Sequence, residues 1–335
     1  MPETFPQQEK REDLDIEKYL DIIIARGDMI KRPNPEDFLD VYDEEKIKRD
    51  TGYVQKVRAK MEEYNDIIEK KAKALEILAA YYIENMHWLG EGGHAVNTSE
   101  YDDIAHGIDM VVEFSAIGGD LEDKEVKRLG LAIDAYSGKS LASLSKKAER
   151  FAKAVRGETN TATGKPYADT FARVDYFQSA IKDKDGNRYK GGLSNLPPVA
   201  VSLSGPNASD MFKTTAEIMR AENIAGALYQ RKRAGEVLSS VEDEMLEKNI
   251  EKLQELKSEA TKHPARWLFI KQIKKQLEVY LQIGEQSENA DKEFLDNIKS
   301  AYSIIEALDS EDAELGDLQE DLDKLEKIFE NLVKQ

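Results

Sequence analysis

The chain contains no cysteine, which excludes a disulfide framework, a thiolate nucleophile and any cysteine-held zinc or iron–sulfur centre. Histidine is nearly as scarce, with four among 335 residues, so a histidine-rich metal site is not expected either. Proline (9) and glycine (20) are sparse, as in a helix-rich protein. No apolar run approaches the ~18 residues that a membrane span requires. The start, MPETFPQQEKREDLD, lacks a basic region followed by an apolar stretch. The expectation is a cytoplasmic protein that makes no membrane contact.

What is abundant is charge, at 34% of residues, with a net balance of −18. It is unevenly spread: residues 1–120 carry −13, residues 121–235 carry +7 and residues 236–335 carry −12. A negative chain does not coat nucleic acid, but a positive middle segment between two acidic flanks confines any polyanion contact to residues 121–235.

The same boundaries appear in the apolar pattern. Residues 1–52 form a polar and helical N-terminal segment, broken by Pro33 and Pro35 and expected to be loosely attached. From Tyr53 to Leu89 apolar residues recur at three- and four-residue steps, as on one long helix, which Gly90, Gly92 and Gly93 end. Strands are expected at 108–114, 129–136, 172–177 and 198–203, with helices over 143–156 and 209–235. Residues 53–235 thus read as a small α/β unit: a mixed sheet flanked by helices. Residues 236–335 show heptad-like leucines and no strand signal, the pattern of a helical hairpin or bundle, coiled-coil-like, that buries its stripe by self-association or against a partner helix.

Two carboxylates interrupt otherwise apolar strands, Asp109 in HGIDMVVEF and Asp134 in LGLAIDAYSGKS. A buried strand tolerates an acid only with a partner or a metal. Pairing the two strands side by side brings Asp109 and Asp134 to one edge, a pair suited to Mg²⁺ or Mn²⁺. Alternation places Glu113 on the face of Asp109. Asp102, Asp103 and His106 offer further ligands or a proton relay, but read first as a capping turn. Glu76 and Glu84 sit on the preceding helix, where the pattern does not choose between them or distinguish either from a solvated face.

These residues resemble the PD-(D/E)XK, or restriction-endonuclease-like, nuclease superfamily over roughly residues 55–220. Its core has a helix, a mixed sheet with an aspartate entering one strand, an acid-x-lysine on the next, then a further helix and strands. The wording around the acids is also similar to uncharacterised bacterial proteins associated with this superfamily. The resemblance implies Mg²⁺- or Mn²⁺-dependent phosphodiester hydrolysis in DNA or RNA, with Asp109 and Asp134 as metal ligands and another acid on the first helix. The sequence departs from the motif at Tyr136, where the superfamily has the lysine that orients or activates water. Lys139 is the candidate replacement, with Lys146 or Lys147 as others. The alternative is a non-enzymatic scaffold built on an inactive core with a helical oligomerisation region.

Three other signals are weaker. Gly138-Lys139-Ser140 has the ending of a phosphate-binding loop, but Ile133 stands where its first glycine belongs. Asp183 to Asn187 has calcium-loop composition with wrong spacing, and reads as a hairpin turn. Lys146, Lys147, Arg150, Lys153 and Arg156 recur at helical steps, as a phosphate-contacting or simply solvated face.

Overall fold

The computed structural model describes residues 5–27, 32–61, 67–115, 129–136, 141–171, 173–183, 185–203, 205–309 and 315–334. Its first half runs α1 (Phe5–Gly27), α2 (Glu44–Met61), α3 (Ile67–Met86), β1 (Gly93–Asn97), α4 (Glu100–His106), β2 (Met110–Phe114), β3 (Leu129–Tyr136) and α5 (Leu141–Val155). Then come β4 (Thr159–Asn160), β5 (Lys165–Pro166), α6 (Ala168–Phe171), β6 (Val174–Lys182), β7 (Arg188–Leu193) and β8 (Pro198–Ser202). Five helices complete the chain: α7 (Gly205–Arg233), α8 (Ser240–Lys262), α9 (Pro264–Glu285), α10 (Lys292–Leu308) and α11 (Gln319–Val333). Among the described residues no helix is long and apolar enough to cross a membrane.

A four-stranded mixed sheet in the order β1-β2-β3-β8 organises the molecule. β1, β2 and β3 form an antiparallel meander, and β8 lies parallel to β3 after the crossover through α5. Alternation sorts the strand residues. Met110, Val112, Leu131, Ile133, Val199 and Val201 join the main core with α3, α7 and α9, whereas Val111 and Ala132 meet Val174 and Phe177 of the β6–β7 hairpin. That hairpin turns at Asp183 to Asn187, where the Asp183 carboxylate accepts from the Asp185 and Asn187 N–H groups and Gly186 takes φ +82°. It is a polar turn, as its glycine spacing implies.

Three expectations need correction. The long helix over 53–89 is two helices, α2 and α3, and the five residues Gly93–Asn97, taken as lying beyond a glycine stop, form the edge strand β1. Too short and too polar for a visible alternation, β1 is held by its pairing with β2. Second, the N-terminal segment is not loose: Leu20 and Ile23 of α1 are fully buried with α3 and α7, and Phe38 and Ile47 pack on Tyr176. Third, the leucine stripe of α11 is buried inside the chain, against α9 and α5. In residues 236–335 the large apolar side chains that stay exposed, among those described, are Val237, Val241, Met245 and Ile250, near the α7–α8 turn.

β8 is a sheet edge buried under α9, and two fully buried glutamines close it. Gln276 Oε1 accepts the Ala200 N–H (2.8 Å) and its Nε2 donates to the Ala200 carbonyl (2.7 Å). One helical turn earlier, Gln272 does the same for Ser202, at 2.9 and 3.0 Å. The match is geometric: four helical residues rise about 6 Å and two strand residues about 6.6 Å. Replacing Gln276 by alanine strands both polar groups of Ala200, at about 1–3 kcal/mol each. Urea unfolding of Gln276→Ala is expected to show a loss of about 2–6 kcal/mol, and an unchanged midpoint would contradict the role assigned to this pair.

Candidate functional site

The site forms where the β2–β3 ladder ends. The Asp109 N–H donates to the Ile133 carbonyl at 3.0 Å, and the Asp109 carboxylate accepts the Ala135 N–H at 2.7 Å. A side chain takes the next rung of the sheet and is thereby fixed in place. Asp134, two residues from the end of β3, is buried beside it, and its charge acts on Asp109.

Two further acids arrive from helices. Glu76 is buried on α3, and Asp103 lies on α4, a helix of seven residues that Ser99 caps at its start and Gly107, at φ +69°, ends. One carboxylate oxygen each from Glu76, Asp103 and Asp109 lies within 4.8 Å of the others. Asp134 is not one of these three, since Lys147 of α5 forms an ion pair with it. The Arg32 guanidinium bridges Glu76 and Asp103, the latter at 3.0 Å, and Lys73 contacts Glu76 at 2.8 Å.

The electrostatics follow from crowding. Burial pushes the Asp109 carboxyl well above the usual carboxylate range, and Asp134, Asp103 and Glu76 push it further. Burial also raises Asp134 and Glu76, against the opposing influence of Lys147 on the first and of Arg32 and Lys73 on the second. Cations already facing these acids are Arg32, Lys73 and Lys147.

The sequence candidates separate here. Asp109 and Asp134 share one end of the sheet, with Asp109 in the triad and Asp134 paired to lysine. Lys139, with Gly138 and Ser140, lies outside the described residues. The lysine that meets Asp134 is Lys147. Glu113, expected on the face of Asp109, turns with Val111 to the β6–β7 hairpin, at the far end of β2, where it accepts from the Ser179 hydroxyl (2.8 Å) and the Ala180 N–H (2.7 Å). Asp102 is structural, accepting the Asp175 and Tyr176 N–H groups at 2.6 and 3.0 Å. Its neighbour Asp103, grouped with it as a cap, faces the cluster instead. Glu84 joins β1 through the Ala95 N–H, which leaves Glu76 as the acid of α3 in the site. Arg32 was not foreseen, and no local signal marks it. Of the basic helix, Lys153 pairs with Glu149, and Arg156 with Glu158 and the Leu332 carbonyl.

A cleft of about 290 Å³ adjoins the cluster, with Arg32 in its wall. It runs between α3, the outer edge of β1 and the β6–β7 hairpin, which contributes Gln178 and Arg188. No protein-family model, curated protein or solved structure matches the chain.

Because the Asp109 carboxyl is raised, the folded chain holds a proton that the unfolded chain releases above its ordinary value of 3.8. Stability therefore falls as pH rises above 3.8 until the raised value is passed. Asp109→Asn keeps an oxygen for the Ala135 N–H and loses the charge. In EDTA the difference in melting temperature, variant minus wild type, is expected to grow between pH 4 and neutrality. A constant difference would contradict the raised carboxyl.

Proposed function

We propose that this chain is a metal-dependent nuclease of the PD-(D/E)XK kind, hydrolysing phosphodiesters in DNA or RNA. One observation carries the reading: Glu76, Asp103 and Asp109, from three separate elements, converge within 4.8 Å beside the Asp134–Lys147 pair. The element order supports it, with α3, the meander β1–β2–β3 and the α5 crossover to β8, and with acids at the start of β2 and on β3. The resemblance implies a similar element order with Asp134 as a second metal ligand; here Asp134 pairs instead with Lys147, which would supply from a helix the amine that the strand lacks at Tyr136.

The donor set fits Mg²⁺ or Mn²⁺, since all three groups are carboxylates and a guanidinium already satisfies two of them. When bound, such an ion would supply Lewis-acid polarisation of a phosphoryl oxygen and a lowered pKa for water. The chain's own residues hold the geometry. Asp109 is locked by the Ala135 N–H, and Asp134 fixes the Lys147 ammonium, which is partly exposed and able to orient an incoming water. Arg32 must leave Glu76 and Asp103 before a divalent ion takes both. A second reading has its own support: Val237, Val241, Met245 and Ile250 are exposed near one hairpin end, as in an interaction protein.

With Mg²⁺ or Mn²⁺, the purified protein is expected to cut labelled DNA or RNA strands. Asp109→Ala and Lys147→Ala should each lower the rate by about 10²-fold or more. Arg32→Ala removes the resident cation, so Mn²⁺ should raise its melting temperature more than that of wild type. Absence of both cleavage and any Mn²⁺-dependent shift, with stable oligomers that Val241→Asp disrupts, would favour the interaction protein.

A further inference from the structure

The cleft beside Arg32 has features that the carboxylate cluster does not use. At about 290 Å³ it lies at the small end of ligand pockets, roughly 300 Å³ and above. That is room for a nucleotide unit and far too little for a duplex. Its charged lining is Arg32, Arg188, Asp37 and Glu84, with Arg32 already bonded to Glu76 and Asp103, so nothing in it selects a bare anion. What it offers instead is hydrogen bonding beside apolar side chains. The side-chain amides of Asn97 and Gln178 form no hydrogen bond among the described residues. β1 has a strand neighbour on one side only, and its other edge borders the cleft. Ala80 and Val96 give apolar surface, and Tyr81 also lines it. Unpaired amides beside apolar walls suit the polar edge and flat face of a base.

Arg188 adds the second half of a nucleotide. It is exposed at the start of β7 and forms no ion pair among the described residues, in contrast to Lys190, which pairs with Asp40 at 2.6 Å. Arg32 lines the cleft and also bonds to Glu76 and Asp103, so an occupant lies one side chain from the carboxylates.

We propose that this cleft receives one unstacked base of a nucleic-acid strand, with Arg188 on the neighbouring phosphate, and that the substrate is therefore single-stranded or frayed rather than intact duplex. The proposal rests on the nuclease reading above and specifies its substrate. A base held by Asn97 and Gln178 leaves its backbone beside Arg32 and the acids, whereas a stacked, paired base cannot enter without the cost of extrusion.

The test uses the full chain carrying Asp109→Asn and a short fluorescein-labelled oligonucleotide, single-stranded or annealed to its complement, at one fixed ionic strength. Fluorescence anisotropy is expected to show at least about tenfold tighter binding to the single strand. Gln178→Ala, Asn97→Ala and Arg188→Ala should each weaken single-strand binding by about five- to tenfold, within the range of one base or phosphate contact, and leave duplex binding unchanged. Arg188 and Gln178 are exposed, and unaltered thermal melting would verify that their variants fold. Equal affinity for both forms, or indifference to all three substitutions, overturns the proposal while Asp109-dependent cleavage by the otherwise unaltered protein keeps the nuclease reading. Loss of cleavage and of all nucleic-acid binding overturns both.

Discussion

Four carboxylates at one end of a sheet repel one another, and much of the surrounding chain is placed by the need to offset that repulsion. Two unit charges 4 Å apart interact by about 4 kcal/mol at an effective dielectric constant of 20, a large fraction of the stability of an ordinary domain. Each compensating group brings a different segment with it. Lys147 draws α5 to β3, and the Ala135 N–H fixes Asp109 within the sheet itself. Arg32 draws the segment between α1 and α2 onto α3 and α4, across 44 and 71 residues of sequence. A second ionic knot keeps that segment there: Lys46 bridges Asp50 and Asp175, and the Tyr176 hydroxyl donates to Asp50. Asp102, which accepts from the same stretch of β6, holds α4 and hence Asp103 in position. The site and its scaffold are coupled through charge.

The two edges of the sheet are treated in opposite ways. At β8 the Gln272 and Gln276 side chains complete the hydrogen bonding that another strand would provide, which lets the helical C-terminal region pack against the sheet and share its main core. An unsatisfied edge could not be buried there without cost. At β1 one acid, Glu84, takes a single backbone donor, and the rest of the edge opens on the cleft. The closed edge serves stability. The open edge retains polar groups that a ligand can use, next to the charged end of the meander.

How much of this was legible depends on the range of the interaction. Asp109 and Asp134 stood out because an acid inside a β-branched run must find a partner, and antiparallel pairing then brings the two to the same end of the sheet. The strand at 129–136 has the boundaries its composition implies, since it is apolar and followed by the Ser137-Gly138 break in the sequence. Glu76 had no such contrast, because on a helix an acid every few residues is ordinary and burial arises only from packing. Asp103 was grouped with Asp102 as a cap, yet neighbouring helical positions point about 100° apart, and only Asp102 turns toward β6. Lys147 was visible as one of several lysines, but its choice over Lys146 follows from the rotation of α5. Arg32 and β1 were invisible for the same reason: each is defined by what it meets far along the chain.

The charge asymmetry along the chain changes its meaning once these partners are known. The +7 of residues 121–235 suggested a basic surface, but many of its cations are committed: Lys147 to Asp134, Arg173 to Asp175, Lys190 to Asp40, and Arg231 to Glu236 and Glu242. Paired cations contribute little to a long-range field, and exposed pairs are screened within about 10 Å at moderate salt. A broad electrostatic grip on duplex DNA depends on many simultaneous phosphate contacts, and the cations committed in these pairs are withdrawn from it. At the end of the sheet stand a carboxylate cluster, one arginine that bridges it, and a small cleft whose wall also holds Arg188, unpaired among the described residues. The recognition proposed above, built from those parts, is local: a base and a phosphate presented at one point of a strand.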